Sequence, residues 1–328
     1  MGKEKKSKKI SNKKSIKTKK NKQSIKTIVI KTPLFSDTYM KSKEGEYFDK
    51  KDYKTIVNYD CDGYIIKNGK KKLLFKFRKG VIPKKLCKLG IDNLKKAAMK
   101  THDNRGASAG IIDMKKLPSY ANEKHQFKKI DKFRIFGYES KKTGKWVNNS
   151  FGNLSQSNII GFFDKRDRNL GINAPPCRTT AFTSQQVDKW KKVQPLIKSI
   201  DKQFKKLVPD KHKIQYNRAH ETDQFVIGNT AFSTLTINYN WRTALHKDAG
   251  DLKEGFGNLV VLEEGTYNGG ETGFPQYGIA INVRDGDFLA MDVHEWHCNT
   301  KIIPVSKDYT RLSLVSYLRE NMIKCKDL

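Results

Sequence analysis

The chain has 328 residues, with 66 Lys and Arg against 34 Asp and Glu and a formal net charge of +32; that length suits one large domain or two modest ones and is ample for a real core. No apolar run approaches the ~18–20 residues of a membrane-spanning helix, the N-terminus lacks a secretory apolar stretch, and Lys6 stands where myristoylation needs Ser or Thr, so a membrane, secreted or myristoylated protein is not expected. The five cysteines (Cys61, Cys87, Cys177, Cys298, Cys325) are scattered without a Cys-x-x-Cys pair, which argues against a disulfide framework or thiolate zinc site and for a reducing compartment.

In chain order, residues 1–27 come first. They hold twelve lysines against Glu4 and four apolar residues, too few to fold, and read as a disordered basic tail. The tail carries +11 of the +32, so the remaining 301 residues carry +21. Such a body favours a polyanionic partner, because Lys and Arg release counterions when they neutralise phosphates. A solvated surface in a Lys-rich chain is the other reading. Lys5-Lys6-Ser7-Lys8-Lys9 and Lys19-Lys20-Asn21-Lys22 also fit nuclear-import signals.

From Ile28 the composition turns globular. Ile65-Ile66, Asn68-Gly69 and residues 73–77 predict a β-hairpin. Pro83 opens a predicted helix through Met99, with Leu86, Leu89, Leu94 and Ala98 on one face. Asn104-Arg105-Gly106 reads as a plain turn, able to approach a site. Residues 120–150 are Lys-rich and loop-like around Lys141-Lys142-Thr143-Gly144. Ser184 is the expected N-cap of the best helix, whose stripe is Val187, Trp190, Val193, Ile197, Ile200, Phe204 and Leu207. Pro195 should kink or split it. Lys189, Lys191, Lys192, Lys198, Lys202, Lys205 and Lys206 fill much of its other surface, as a solvated face or a phosphate contact.

After Phe225 short strands dominate, over residues 232–239, 259–262, 279–283, 288–291 and 312–318, with Gly-rich turns such as Asn268-Gly269-Gly270 between them. This spacing predicts an α+β fold with a jelly-roll (double-stranded β-helix) core, flanking N-terminal helices and the Lys-rich tail. Residues 28–328 are expected to form one domain, with a support and substrate-side region at 28–224 and the β core at 225–320.

Three of the seven histidines, His246, His294 and His297, lie in the β region. In a strand, residues i and i+2 share a face, so His246 and Asp248 can offer an imidazole and a carboxylate to one metal. A second histidine from a later strand completes a two-His, one-carboxylate triad, the pattern of non-haem Fe(II) oxygenases. Further on, Arg311 and Ser313 share a strand face and can clamp a carboxylate through a guanidinium and a hydroxyl, as 2-oxoglutarate requires. Alone, Arg311 reads as a surface ion pair; behind the histidines it reads as the clamp.

Residues 234–319 resemble the Fe(II)- and 2-oxoglutarate-dependent dioxygenases, and more narrowly the TET/JBP branch, which oxidises the 5-methyl group of cytosine or thymine in nucleic acid. The match rests on Thr243-Ala244-Leu245-His246-Lys247-Asp248, Gly255-Phe256-Gly257, Gly269-Gly270, Phe274-Pro275, Gly286-Asp287, His297-Cys298-Asn299-Thr300 and Arg311-Leu312-Ser313-Leu314-Val315. The resemblance implies His246, Asp248 and His297 as iron ligands, with Arg311 as the 2-oxoglutarate anchor. Ser313, Asn299 and Thr300 would lie near the cosubstrate. His297 is preferred to His294 because the following Asn-Thr resembles the family's distal motif. Cys298 departs from the glycine often found there and would put a thiol beside the metal. The implied cofactors are Fe(II), 2-oxoglutarate and O2. The implied partner is nucleic acid, DNA first, held by the basic surface and tail, in the nucleus or wherever the DNA lies. A prolyl or lysyl side-chain hydroxylase shares the same triad and arginine and is the alternative.

Overall fold

The computed structural model describes residues 24–113, 126–140, 142–148, 150–165 and 176–326. Of the expected tail, residues 1–23 lie outside this set, as does Lys141. The tail boundary moves, because Lys26 and Thr27 already belong to a strand. That strand is β1 (Lys26–Ile30), followed by the short helix α1 (Asp37–Ser42) and by β2 (Thr55–Val57). β1 pairs in parallel with β3 (Cys61–Lys67), and Ile28 and Ile30 pack against the core. β3 and β4 (Lys70–Arg78) form the hairpin expected at Asn68-Gly69, whose φ values of 53° and 70° are those a tight primed turn requires.

Helix α2 (Lys84–Ala98) starts directly after Pro83, and its buried side is Cys87, Gly90, Ile91, Leu94, Ala97 and Ala98. Leu86 and Leu89 are only half-buried, so the face expected from the large residues is rotated toward the small ones. The reason is close helix packing: a Cβ on Gly90 would lie 2.4 Å from Leu262 and 2.7 Å from Leu196. β5 (Thr101–His102) follows. The stretch expected as a loop holds β6 (Gln126–Ile130), β7 (Arg134–Glu139), β8 (Trp146–Val147) and β9 (Phe151–Gly152), which pair into a small sheet. Asp131 makes its first turn by accepting from the N–H groups of Phe133 and Arg134 at 2.7 and 2.8 Å.

β10 (Ser155–Phe163) and β11 (Arg178–Thr179) lead to α3 (Ala181–Gln185), α4 (Val187–Leu207) and α5 (Pro209–Ala219). Ser184 sits inside α3, bonded back to the Thr180 carbonyl at 3.2 Å, so the long helix begins at Val187 instead. Pro195 does not split it. The proline is exposed, as is Lys191, whose carbonyl loses its donor on the solvent side.

The remaining strands are β12 (Thr234–Tyr239), β13 (Gly257–Glu264), β14 (Tyr267–Gly269), β15 (Thr272–Phe274), β16 (Ile279–Ile281), β17 (Phe288–Met291), β18 (Cys298–Asn299), β19 (Ile302–Pro304) and β20 (Thr310–Tyr317). A ten-stranded sheet runs in the order β1-β3-β4-β17-β13-β20-β12-β10-β11, with β5 beside β10. It crosses the division expected at residue 224. A four-stranded sheet, β18-β15-β16-β2, faces it.

Side-chain alternation builds the layers. Leu235, Ile237, Val260, Leu262, Phe288, Ala290, Leu312 and Leu314 point from the large sheet into a core shared with α2 and α4. Their neighbours Leu259, Val261, Leu289 and Met291 point the other way, to Phe274, Ile279 and Ile281 of the smaller sheet. The fold is therefore mixed α and β, with helices on one face of the large sheet and a second sheet on the other. Among the described residues no helix is long and apolar enough to cross a membrane.

The cysteines depart from expectation. Cys177 and Cys325 form a disulfide with Cα atoms 6.0 Å apart, within an apolar cluster that also holds Leu252, Leu318 and Met322. Cys61, Cys87 and Cys298 are free and buried.

Gly90→Leu tests the helix–sheet contact. Overpacking typically costs about 1–3 kcal/mol, against the roughly 1 kcal/mol of helix propensity that glycine forgoes. Urea unfolding should show a net loss of stability; a gain would mean the contact is slack.

Candidate metal centre and its cavity

His246 and His297 face each other across a one-residue backbone bridge, each N–H donating to the other's carbonyl at 3.0 Å. Asp248 N–H then donates to the Val293 carbonyl at 3.0 Å. Alternation turns His246 and Asp248 inward, while Leu245 packs outward with Met40, Trp296 and Cys298. Asp37 of α1 pins this outer side, accepting from Lys247 Nζ at 3.0 Å and Trp296 Nε1 at 2.8 Å. The N-terminal segment thus fixes the flanks of both histidines.

The inward side chains converge. His246, Asp248 and His297 each offer one ligand atom, and these atoms all lie within 4.8 Å of one another. His246 Nε2 is 3.3 Å and His297 Nε2 3.9 Å from the Asp248 carboxylate. Each histidine places Nδ1 against a carbonyl, Ala244 at 2.8 Å and Glu295 at 2.9 Å. A carbonyl can only accept, so both Nδ1 atoms carry hydrogen and both Nε2 atoms turn to the cluster.

The electrostatics separate the three groups. Burial works against charge on His246, but the bonded Asp248 carboxylate outweighs it and raises the imidazole pKa. Burial opposes ionisation of Asp248, yet its bond from His246 and the charges of both histidines hold it down at about 2. Burial, then the neighbouring His246 charge, push His297 down to about 4. The site thus favours a neutral His297 and an ionised Asp248, while His246 holds its proton more firmly than a free imidazole does.

The cluster opens into a cavity of about 520 Å³ that also takes in Arg311, Ser313 and Asn299. Arg311 is 1 % exposed. Its Nη2 donates to the Gly270 carbonyl at 3.1 Å, while Nε and Nη1 are buried without a partner. Gly270 makes room for it, since a Cβ there would stand 3.2 Å from Arg311 Nε. The Arg311 backbone is held by Asn240, whose Oδ1 accepts from its N–H at 2.6 Å. Ser313 Oγ accepts from Asn238 Nδ2 at 3.2 Å. Asn299 is braced by Thr243, which donates to its Oδ1 at 2.8 Å.

Three residues weighed in the sequence stand apart from the cluster, although Cys298 is still part of the cavity wall. Thr300 does not line the cavity; it is buried, and its hydroxyl bonds Glu271. His294 pairs with Asp292 at 3.2 Å, outside the three-residue cluster. The Cys298 thiol lies 3.2 Å from Tyr53 Oη, and burial pushes its pKa up to about 11, so it remains a thiol.

The cavity also recruits the 104–106 turn, which the sequence reading held able to approach a site, and further residues that it did not single out. Asn104, Arg105 and Gly106, read as a plain turn, line it, and Arg105 Nε is a second buried donor without a partner. Asp251, Tyr317 and Arg319 line it too. Burial and then the Asp248 charge raise the Asp251 pKa well above the carboxylate range. Arg319 bonds Asp164 and lies 4.7 Å over the Phe163 ring. The missed signal was periodic: the alternation through Arg311, Ser313 and Val315 continues to Tyr317 and Arg319.

Residues 158–320 match a family model, Tet_JBP, described as the oxygenase domain of the 2OGFeDO superfamily. Thymine dioxygenase JBP1 of Trypanosoma brucei brucei is 37% identical over 172 residues, 52% of this chain and 20% of that protein. Thymine dioxygenase JBP1 of Leishmania braziliensis is 30% identical over 226 residues, 66% of this chain and 25% of that protein. The chain therefore spans a fifth to a quarter of these relatives. A solved structure of NgTET1 in complex with 5mC DNA aligns over 88% of this chain and 92% of that one, at 12% identity and a TM-score of 0.49. The His-Asp-His cluster lies inside the matched stretch, so the part of this chain that is similar to a Tet/JBP oxygenase domain of the 2OGFeDO superfamily, residues 158–320, is also the part that holds the cluster.

Proposed function

We propose that the chain is an Fe(II)- and 2-oxoglutarate-dependent dioxygenase that hydroxylates the methyl group of a 5-methylpyrimidine base, thymine or 5-methylcytosine, in nucleic acid. One observation carries the chemistry: the unpartnered Nε and Nη1 of buried Arg311 share a cavity with the His-Asp-His cluster. A buried guanidinium short of partners calls for a carboxylate. Two imidazoles and one carboxylate are the donor set that suits Fe(II) and leaves positions open for a chelating cosubstrate. The residues present thus fit both groups.

In this reading His246, Asp248 and His297 hold the iron, Arg311 receives the far carboxylate of 2-oxoglutarate, and Ser313 and Asn299 flank it. Bound iron would activate O2, the oxidant, with 2-oxoglutarate oxidised to succinate and CO2 as the methyl C–H bond is hydroxylated. The protein's part is positional. Asp251, Arg105 and Arg319 bring hydrogen-bonding groups for a base edge, and Tyr317 and Trp241 bring flat surfaces to the same cavity. A base in a duplex must leave the stack to enter. The resemblance of residues 234–319 and the thymine dioxygenases among the relatives support the base as substrate. The two facing sheets support reading the core as a double-stranded β-helix, with residues 28–328 as one dioxygenase domain. The +21 body supports a DNA partner and a place beside DNA.

Three measurements test this. Purified protein with Fe(II), 2-oxoglutarate and duplex DNA should yield hydroxymethylated pyrimidine on nucleoside mass spectrometry, and His246→Ala or Asp248→Ala should abolish it while circular dichroism stays unchanged. Succinate without a modified nucleoside would keep the iron site but overturn the base as substrate and turn the search to RNA and protein. Arg311→Lys should raise the 2-oxoglutarate KM by about 10–100-fold, the loss of one or two charge-assisted bonds, and move the DNA KM little; an unchanged cosubstrate KM would displace the clamp.

Metal binding should carry a one-proton signature. Only His246 gives up a proton to the metal, so Co(II) affinity measured by calorimetry should weaken about tenfold per pH unit below the His246 pKa and level off above it. A two-proton slope near neutrality would contradict the neutral His297.

A further inference from the structure

Helix α4 lies across the large sheet from the cavity. Leu235, Ile237, Leu312 and Leu314 point to the helices, whereas Thr236, Asn238, Arg311 and Ser313 line the cavity. A sheet and a helix layer therefore separate the outer face of α4 from the cavity, roughly 20 Å.

That outer face is a run of uncompensated charge. Lys191, Lys192, Lys198, Lys202, Lys205 and Lys206 are all exposed, and none makes an ion pair or hydrogen bond with a described residue. The acid in mid-helix is turned away: Asp201 accepts from the Ala231 N–H at 2.8 Å and pairs with His212 at 3.0 Å. Lys198 and Lys202, and Lys202 and Lys206, stand four residues apart, where like charges oppose the helix. The stripe runs about 22 Å, enough to follow several phosphates of one strand. A separate cleft of about 230 Å³ between α2 and the start of α4 is lined by Lys96, Lys100, Lys189, Gln185 and Gln186.

We propose that this face is a second nucleic-acid surface, which grips the phosphate backbone of a segment other than the one entering the cavity. The proposal rests on the nucleic-acid part of the functional reading, not on its chemistry. An anionic lipid surface fits less well. Membrane-surface helices set large apolar side chains beside their lysines, whereas the apolar stripe of α4 (Val193, Leu196, Ile197, Ile200 and Phe204) is buried in the core. The lysines bring charge without base-edge chemistry, so the grip is sequence-independent and salt-sensitive.

The test uses the full chain and a Lys198→Gln/Lys202→Gln/Lys205→Gln variant, with Lys→Glu at the same positions as a second. An immobilised short duplex is loaded with protein, and capture of a second, fluorescent duplex is measured. The native chain should capture it, and the Gln variant should lose capture at least tenfold, the Glu variant more. On long duplex DNA the slope of log affinity against log salt should fall by roughly 2–3 in the Gln variant, about 0.9 for each phosphate no longer neutralised. Turnover of the methyl base in a short duplex should stay within about twofold. Capture and salt slope unchanged in both variants would overturn the surface. So would a matching loss of short-duplex turnover, which would put these lysines on the catalytic duplex, or lysine-dependent binding confined to anionic phosphatidylserine vesicles. Capture without any turnover by the native chain would leave this surface standing and overturn the catalytic reading alone.

Discussion

Two backbone hydrogen bonds set the whole site. By exchanging N–H groups and carbonyls, His246 and His297 become direct opposites, and their imidazoles fall on one side with ring centroids 4.3 Å apart. A strand has period two, so a slip of one residue would present Leu245 and Lys247 to the cavity and send His246 and Asp248 into the cluster around Met40 and Trp296. The apolar packing of Leu245, Trp296 and Cys298, with Asp37 bonded to Lys247 and Trp296, makes that slip costly. The register is thus defended from the outer face, by residues with no chemistry of their own.

The same alternation explains why a cavity lined by polar side chains can sit against an apolar core. β12 and β20 each give one face to the helical core and the other to the cavity, so a single sheet serves two environments. On the cavity side this leaves charge underpaired. Arg311 and Arg105 keep buried donors without partners, and Asp251 is pressed by the charge of Asp248. Stranding a buried charge costs several kcal/mol, and under the proposed function a carboxylate at Arg311 and a cation at the His-Asp-His cluster would relieve the strain at each. Stability conceded at the cavity becomes affinity for what fills it.

How much of this could be read beforehand followed from the range of each signal. Local patterns were legible: the Asn68-Gly69 hairpin, the His246-Lys247-Asp248 spacing, and the Arg311 and Ser313 face. Patterns carried by small or polar residues were not. The buried side of α2 was misplaced because Cys87, Gly90 and Ala97 allow close approach without looking hydrophobic. α5 went unread because it buries His212 and Gln215, which bond Asp201 and the Ala231 carbonyl. The strands between residues 126 and 152 were hidden among lysines. Contacts between distant segments had no local trace at all, as with Cys177 and Cys325, or Tyr53 against Cys298.

Those distant contacts bear on what the oxygenase match contains. Residues 158–320 hold the His-Asp-His cluster, Arg311 and the central strands, but not all that positions them. Arg242, inside the match, reaches out to the Phe48 carbonyl and Asp49 at 2.9 Å each, while its Nε holds the Asn299 carbonyl at 3.0 Å. β3 and β4 extend the large sheet beyond β17, and α2 covers the inner half of its helical face. Arg105 enters the cavity from a turn that lies wholly outside the match. The matched segment carries the His-Asp-His cluster and Arg311, and described residues of the first half of this chain support it and complete the cavity wall. Phe48, Asp49 and Arg105 thus join the cavity and its supports from outside residues 158–320, and a change at any of them would reshape the wall while leaving the His-Asp-His cluster in place.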